Sequence, residues 1–306
     1  MPILRDFFIG LSHNKTLERF LTNNRFGRKI SRRFVAGETL QDLKFSVERL
    51  LKEGFLLTVA YLGEHFHSVE MAKRHMEEYL KLADVLKGFS DRAEISLKPS
   101  QLGLEISRDL FYENLKTICQ KANSLNIYIN VDMEEYRTLR STVDVVLKLN
   151  SEGFKVGTVI QAYLFESEKI LMELAKYPMN IRLVKGAYKE PREVAYQKKK
   201  DINENFKKLS VKMLEMVDKI YPEFATHDDK IINFIIERVK EMGIPEDKFE
   251  FQMLYGVRPK LQREILTKGY RMRIYLPYGE YWYPYFMRRL AEKPSNAILV
   301  LRGMFG

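Results

Sequence analysis

Residues 55–86 read FLLTVAYLGEHFHSVEMAKRHMEEYLKLADVL. The first six, Phe55–Ala60, form an apolar and partly β-branched run of strand length. From Val69 to Leu86 the apolar residues return every three or four positions among charged ones, which predicts an amphipathic helix. The same two textures recur along the rest of the chain. Further strand-like runs are Glu94–Leu97, Ile127–Val131, Val156–Ala162, Ile181–Val184, Glu223–Thr226, Phe249–Leu254 and Met272–Leu276. Charged stretches of helical spacing follow them, as at Asp109–Leu125 and Ile231–Glu241. Continuous strand–helix alternation predicts a parallel sheet, and eight units predict its closure into a TIM-type (βα)8 barrel of the α/β class. An open doubly wound sheet would carry fewer strands and a glycine-rich phosphate turn, and no G-x-G-x-x-G or P-loop sequence occurs.

Before Gly54, residues Leu40, Leu43, Val47, Leu50 and Leu51 fall on one helical face. The expectation is one catalytic domain over 1–306: a helical arm over 1–53 and the barrel over 54–306.

The chain has 306 residues, 45% hydrophobic and 30% charged, with 16 Gly and 10 Pro. That composition excludes disordered, collagen-like and mucin-like classes. The single cysteine, Cys119, excludes an internal disulfide and a multi-cysteine zinc site, and suits a reducing compartment. It falls in the helix after the second strand, where a buried small hydrophobe is expected. The net charge of +10 leaves three partners to weigh: nucleic acid, an anionic membrane surface, or a polyanionic cofactor with an acidic substrate. No groove-reading motif and no interleaved basic–aromatic face supports nucleic acid. The opening MPILRDFFIGLSHNK lacks the apolar core of a signal peptide, and no run approaches the ~20 apolar residues of a membrane span. A cytoplasmic protein, at most peripheral on the inner face of the membrane, is expected.

In such barrels chemistry gathers where strands end. Here the ends carry Gly63-Glu64, Lys98-Pro99-Ser100, Asp132, Gln161, Arg182 with Lys185-Gly186-Ala187-Tyr188, Thr226-His227-Asp228-Asp229, and Tyr275 with Pro277-Tyr278. Three reaction classes compete for them. A Schiff-base lyase would use Lys98 or Lys185, neither with an evident acid/base partner. A metal-dependent hydrolase would use His65-Phe66-His67, but that pair reads first as a helix start, and no metal is expected. Asp228-Asp229 likewise reads as a helix N-cap. An oxidoreductase with an organic cofactor would use Arg182, Lys185 and the backbone of Gly186 for anionic groups and the aromatics for a flat ring. Near the end, Tyr281-Trp282-Tyr283-Pro284-Tyr285 leads into Phe286-Met287-Arg288-Arg289-Leu290-Ala291-Glu292. Adjacent arginines offer a guanidinium fork for a carboxylate, with Tyr275 and Tyr278 as an apolar wall.

Taken in order, Ser96–Ser100, Val131–Glu134, Arg182–Tyr188, Ala225–Asp228, Gln252–Gly256 and Tyr285–Glu292 resemble the flavin-dependent proline dehydrogenase family, in its short monofunctional bacterial form. The likeness runs from about Lys44 to Asn296. It implies a distorted barrel that binds FAD under a C-terminal helix. It also implies oxidation of L-proline to 1-pyrroline-5-carboxylate by hydride transfer to the flavin N5, with a membrane quinone as final acceptor. Carried over by position, Lys98, Arg288 and Arg289 bind the carboxylate and Tyr275 packs beside the ring. Arg182 lies near N5, and Asp132 organises the polar groups. Met133, Gln161, Lys185, Gly186, Ala187, Thr226, His227 and Glu292 contact the flavin, and Glu64 pairs with Arg288 as a gate. The alternatives left open are a related cyclic imino acid such as 4-hydroxyproline, and the Schiff-base lyase.

Overall fold

The computed structural model describes residues 10–12, 14–23, 27, 31–63 and 68–292, the side chains of 23, 291 and 292 excepted. In chain order the elements are α1 (Lys15–Asn23), α2 (Leu40–Lys52), β1 (Leu56–Tyr61), α3 (Val69–Leu86), β2 (Ala93–Leu97), α4 (Arg108–Ser124), β3 (Ile129–Val131), α5 (Tyr136–Ser151), β4 (Val156–Gln161), α6 (Ser167–Leu174), β5 (Met179–Val184), α7 (Lys199–Leu214), β6 (Ile220–Ala225), α8 (Asp229–Met242), β7 (Glu250–Leu254), α9 (Pro259–Thr267), β8 (Met272–Tyr278) and α10 (Trp282–Glu292). The eight strands form a closed parallel barrel in sequence order.

Local chemistry sets the helix starts. Ser68 and Ser107 accept from Met71 N–H (3.2 Å) and Leu110 N–H (3.0 Å), capping α3 and α4. Thr39 and Asp42 form a capping box on α2. Strand limits shift by a few residues from the sequence reading. β5 and β6 begin at Met179 and Ile220, and β6 runs through Pro222, where a proline costs only one ladder donor. β8 continues through Pro277 to Tyr278.

Strand neighbours in register share a face, so the pairings Thr58↔Glu94, Ser96↔Asn130, Val159↔Arg182, Arg182↔Glu223, Glu223↔Glu250, Gln252↔Arg273 and Thr58↔Tyr275 trace one inward row after another. The barrel interior is therefore polar. The hydrophobic core lies outside it, between the outward row (Leu57, Val59, Ile95, Leu97, Ile129, Val131, Ile274, Leu276) and the apolar stripes of the helices. In α3 that stripe is Ala72, His75, Tyr79, Leu82, Ala83 and Leu86. Cys119 sits fully buried in α4.

The arm is stitched to the C-terminal rim of the barrel. Ala36 N–H donates to Pro277 O (2.8 Å) and Gly279 N–H to Gly37 O (2.9 Å). Gly256, with φ +74°, lies so close to the Arg33 carbonyl that a Cβ would come within 1.8 Å of its oxygen. Phe34, Val35 and Leu62 form a second apolar cluster with Trp282, Tyr283, Tyr285, Phe286, Met287 and Leu290 of α10. Trp282 Nε1 donates to Glu38 (3.0 Å) and Tyr283 OH to Leu11 O (2.7 Å). The arm thus clamps the C-terminal helix against the mouth. Among the described residues, no helix is long and apolar enough to cross a membrane.

Candidate active site

The lower part of the interior is a layer of buried charge. Arg273 forks onto Glu250, Nε to Oε1 and Nη2 to Oε2, and its Nη1 donates to Leu57 O (2.8 Å). Glu94 accepts from Thr58 Oγ1 (2.6 Å) and from Arg182 Nη2 (3.3 Å). Glu223 accepts from Asn130 Nδ2 and Asn180 Nδ2, each at 2.9 Å, with Arg182 Nε 3.6 Å away. Burial above all, then the Glu94 and Glu250 carboxylates, push the Glu223 carboxyl up to about 8. Three buried glutamates facing two arginines are nearly balanced once Glu223 keeps its proton.

Above this layer, at the strand ends, Asp132 gathers the mouth. Its Oδ1 accepts from Ser96 Oγ and Arg182 Nη1, both at 2.8 Å. Its Oδ2 accepts from Tyr275 OH (2.8 Å) and Lys98 Nζ (3.2 Å). Burial alone would raise the Asp132 carboxyl, but Lys98 and Arg182 outweigh it and hold the group below the usual carboxylate range. Burial, with the Asp132 charge behind it, pushes the Tyr275 phenol far up, so it stays a neutral donor. The Arg182 guanidinium, 3% exposed, also lies 5.5 Å from the Tyr275 ring centroid. The result is a cationic, pre-oriented floor: Lys98 and Tyr275 are half-buried and face the mouth, while Arg182 is anchored from below.

Beside Asp132, Gln161 Nε2 donates to the carbonyls of Met133 (3.3 Å) and Glu134 (3.0 Å). Its Oε1 is buried with no hydrogen-bond partner among the described residues. After β5, Lys185 Nζ pairs with Asp228 Oδ2 (2.8 Å). Gly186 has φ +104°, and a Cβ there would stand 2.3 Å from the Tyr163 ring. Ala187 next to it is exposed. After β6, Thr226 Oγ1 accepts from Asp228 N–H (3.2 Å). His227 Nε2 accepts from Leu254 N–H (3.1 Å), so a neutral ring carries its hydrogen on Nδ1. Asp228 caps α8 through Lys230 N–H (3.1 Å), as its sequence position predicts. A flavin dinucleotide would fit this set: Gln161 Oε1 as acceptor for a ring N–H, the Gly186 turn for close backbone approach, and Lys185, paired with Asp228, beside anionic oxygens.

Arg288 and Arg289 stand half-buried on α10, with the Arg289 guanidinium 5.1 Å from the Tyr285 ring centroid. They are not among the four side chains that bond Asp132. Glu64, His65, Phe66 and His67, and the side chain of Glu292, lie outside the described residues.

One sequence expectation is corrected. Tyr278 is not part of the wall at the mouth. With β8 extended to Tyr278, it falls on the outward row, 1% exposed against the Tyr61 ring, and its hydroxyl reaches Glu78 of α3 (3.4 Å). Lys98 and Lys185 lie among polar groups, each ion-paired with a carboxylate. Neither is the isolated amine that Schiff-base chemistry uses. The sequence reading missed Glu94, Glu223, Glu250, Arg273, Asn130 and Asn180. The one signal available was that Glu94, Glu223 and Glu250 each occur in a short strand run, one residue from its start or at it, where a charge must face the interior or be lost.

Comparison with known proteins agrees with this architecture. A family model described as Proline dehydrogenase matches residues 43–300. Proline dehydrogenase 1 of Bacillus subtilis (strain 168) is 41% identical over 303 residues, covering 99% of each chain. The Proline dehydrogenase of Deinococcus radiodurans is 38% identical over 280 residues, 90% of each. Among solved structures, proline utilization A (PutA) from Bdellovibrio bacteriovorus, inactivated by N-propargylglycine, superposes with TM-score 0.80 at 26% identity. That match covers 86% of this chain and 32% of the longer one. The chain belongs to the proline dehydrogenase family.

Proposed function

We propose that the chain, acting as one catalytic unit, oxidises L-proline to 1-pyrroline-5-carboxylate with bound FAD and passes the electrons to a quinone. When bound, FAD supplies the two-electron acceptor at its N5. The chain's residues bind, orient and balance charge around it. Lys98, Arg288 and Arg289 take the substrate carboxylate, Tyr275 packs against the ring, and Arg182 offsets negative charge on the N5 side. Asp132 keeps Lys98, Tyr275 and Arg182 in fixed relation. Gln161, Met133, Lys185, Gly186, Ala187, Thr226, His227 and Glu292 hold the cofactor, and Glu64 with Arg288 gates the mouth. The observation that carries this reading is the buried carboxylate of Asp132, bonded at once to Lys98, Tyr275 and Arg182.

A basic excess of +10, with no membrane-crossing helix among the described residues, supports weak association with an anionic membrane surface, where a quinone would be met. The test is the visible spectrum of the purified protein before and after anaerobic L-proline. Flavin bands that bleach with proline are expected. Bands that persist with proline but bleach with 4-hydroxyproline would change the substrate. A colourless protein that takes up no FAD would overturn the reading.

A further inference from the structure

Gln101 lies in the 3-10 turn Pro99–Leu102 that follows Lys98, and it is 1% exposed. Its amide is saturated. Oε1 accepts from Tyr79 OH (2.6 Å) and Lys98 N–H (3.2 Å), and Nε2 donates to Tyr61 O (2.9 Å) and Gly63 O (2.6 Å). Its own backbone N–H donates to Lys98 O (3.1 Å). Both backbone groups of Lys98 are therefore bonded to the same residue. Behind it, the Gln101 carbonyl accepts from His75 Nδ1 (3.2 Å), and burial lowers that imidazole's pKa.

One amide thus joins the end of β1, the turn after β2 and the inner face of α3. Lys98 is the first residue beyond β2, where ladder bonds no longer fix the backbone. Its extended conformation (φ −104°, ψ 135°) sets where the side chain leaves the turn, and Gln101 is what holds that conformation. Only a primary amide fits the place: two acceptances and two donations are required, and glutamate lacks the donors while methionine lacks both.

We propose that Gln101 is the positioning residue for Lys98, fixing the height of its ammonium over the mouth by clasping its backbone to the β1 end. The inference rests on the reading of Lys98 as a carboxylate ligand. The experiment uses the full, FAD-loaded chain and its Gln101→Glu, Gln101→Met and Lys98→Ala variants. The probe is tetrahydro-2-furoate, which keeps the ring and carboxylate of proline but has no amine to titrate or oxidise.

For Gln101→Glu at pH 8 the inhibition constant and the KM for proline are expected to rise about tenfold. Flavin absorbance and kcat should stay within about threefold of the parent, since the loss falls on carboxylate binding. Lowering the pH to 6 should partly restore inhibitor binding in Gln101→Glu relative to the parent, because a protonated glutamate regains one donor. Gln101→Met should show the same loss without the pH recovery. If both variants carry flavin and keep the inhibition constant within about twofold while Lys98→Ala weakens it, the positioning role is overturned and the Lys98 reading stands. If Lys98→Ala leaves it unchanged, both fail. Should neither Gln101 variant fold, Tyr79→Phe removes one bond to Oε1. A two- to threefold rise in the inhibition constant is then expected, and no change would overturn the proposal.

Discussion

Tyr275 and Asp132, 143 positions apart in the chain, meet over the barrel mouth through a 2.8 Å hydrogen bond from the phenol to Oδ2. That contact joins β8 to the end of β3 across the barrel, and it leaves the other oxygen of Asp132 to Arg182 and Ser96. Asp132→Asn keeps the shape but removes the charge that balances Lys98 and Arg182. Breaking a buried pair from one side costs about 3–5 kcal/mol. The melting temperature should fall by roughly 5–10 °C, and kcat/KM for proline by about 100-fold or more. Tyr275→Phe should be milder, about 1.5–3 kcal/mol in stability. A thermally unaltered Asp132→Asn would show that the charge is not needed to hold the mouth.

Arg288→Lys replaces a planar fork with a point charge. The KM for proline should rise about tenfold or more while flavin content stays constant. Saturation by proline at the parent concentration would remove Arg288 from the carboxylate site.

Glu223 sets a pH dependence of stability. Its carboxyl is raised to about 8 by burial and by the Glu94 and Glu250 charges, against 4.5 in an unfolded chain. The folded state therefore holds a proton that the unfolded chain releases above 4.5. This contribution is complete below 4.5 and is lost as pH rises toward and through 8, at a slope of up to about 1.4 kcal/mol per unit. Asp132, lowered on folding, acts in the opposite sense and loses its contribution only at acid pH, below the ordinary carboxylate range. Melting curves between pH 6 and 9 should decline less steeply in Glu223→Gln than in the parent. Parallel curves would assign the proton elsewhere.

Gly186→Ala must place a Cβ 2.3 Å from the Tyr163 ring at φ +104°. Strain of about 1–3 kcal/mol follows, together with displacement of the turn that carries Lys185 and Ala187. Flavin retained on gel filtration should drop well below that of the parent. Full retention would show that this turn does not hold the cofactor.

Cys119 is fully buried in α4, and burial pushes its thiol far up. Ellman's reagent should find no reactive thiol in the native protein and one per chain in denaturant. Rapid native labelling would mean that α4 opens.

Much of this protein was legible in local pattern. Strand and helix textures differ within a window of a few residues, so the eight units, the α2 stripe and the Asp228 cap could be read without knowing what packs against them. Parallel strands joined by helices leave a closed barrel little choice but sequence order, and polar residues at the strand ends, Asp132 and Gln161 among them, then fall at the mouth, whereas Arg182, inside β5, lies buried below it. Partnership is a different matter. Arg182 meets Glu94 and Ser96 across 88 and 86 positions, and Arg273 meets Glu250 across 23. No local period carries such pairings; they come from barrel closure and register. The facing of Tyr278 depended on β8 continuing one residue past Pro277, because a period of two turns one added residue into the opposite side of the sheet. Gln101 reads in the sequence as an ordinary loop amide. Its role emerges only when β1, α3 and the turn after β2 converge on it, because a saturated hydrogen-bond set belongs to the assembled groups and not to any one of them.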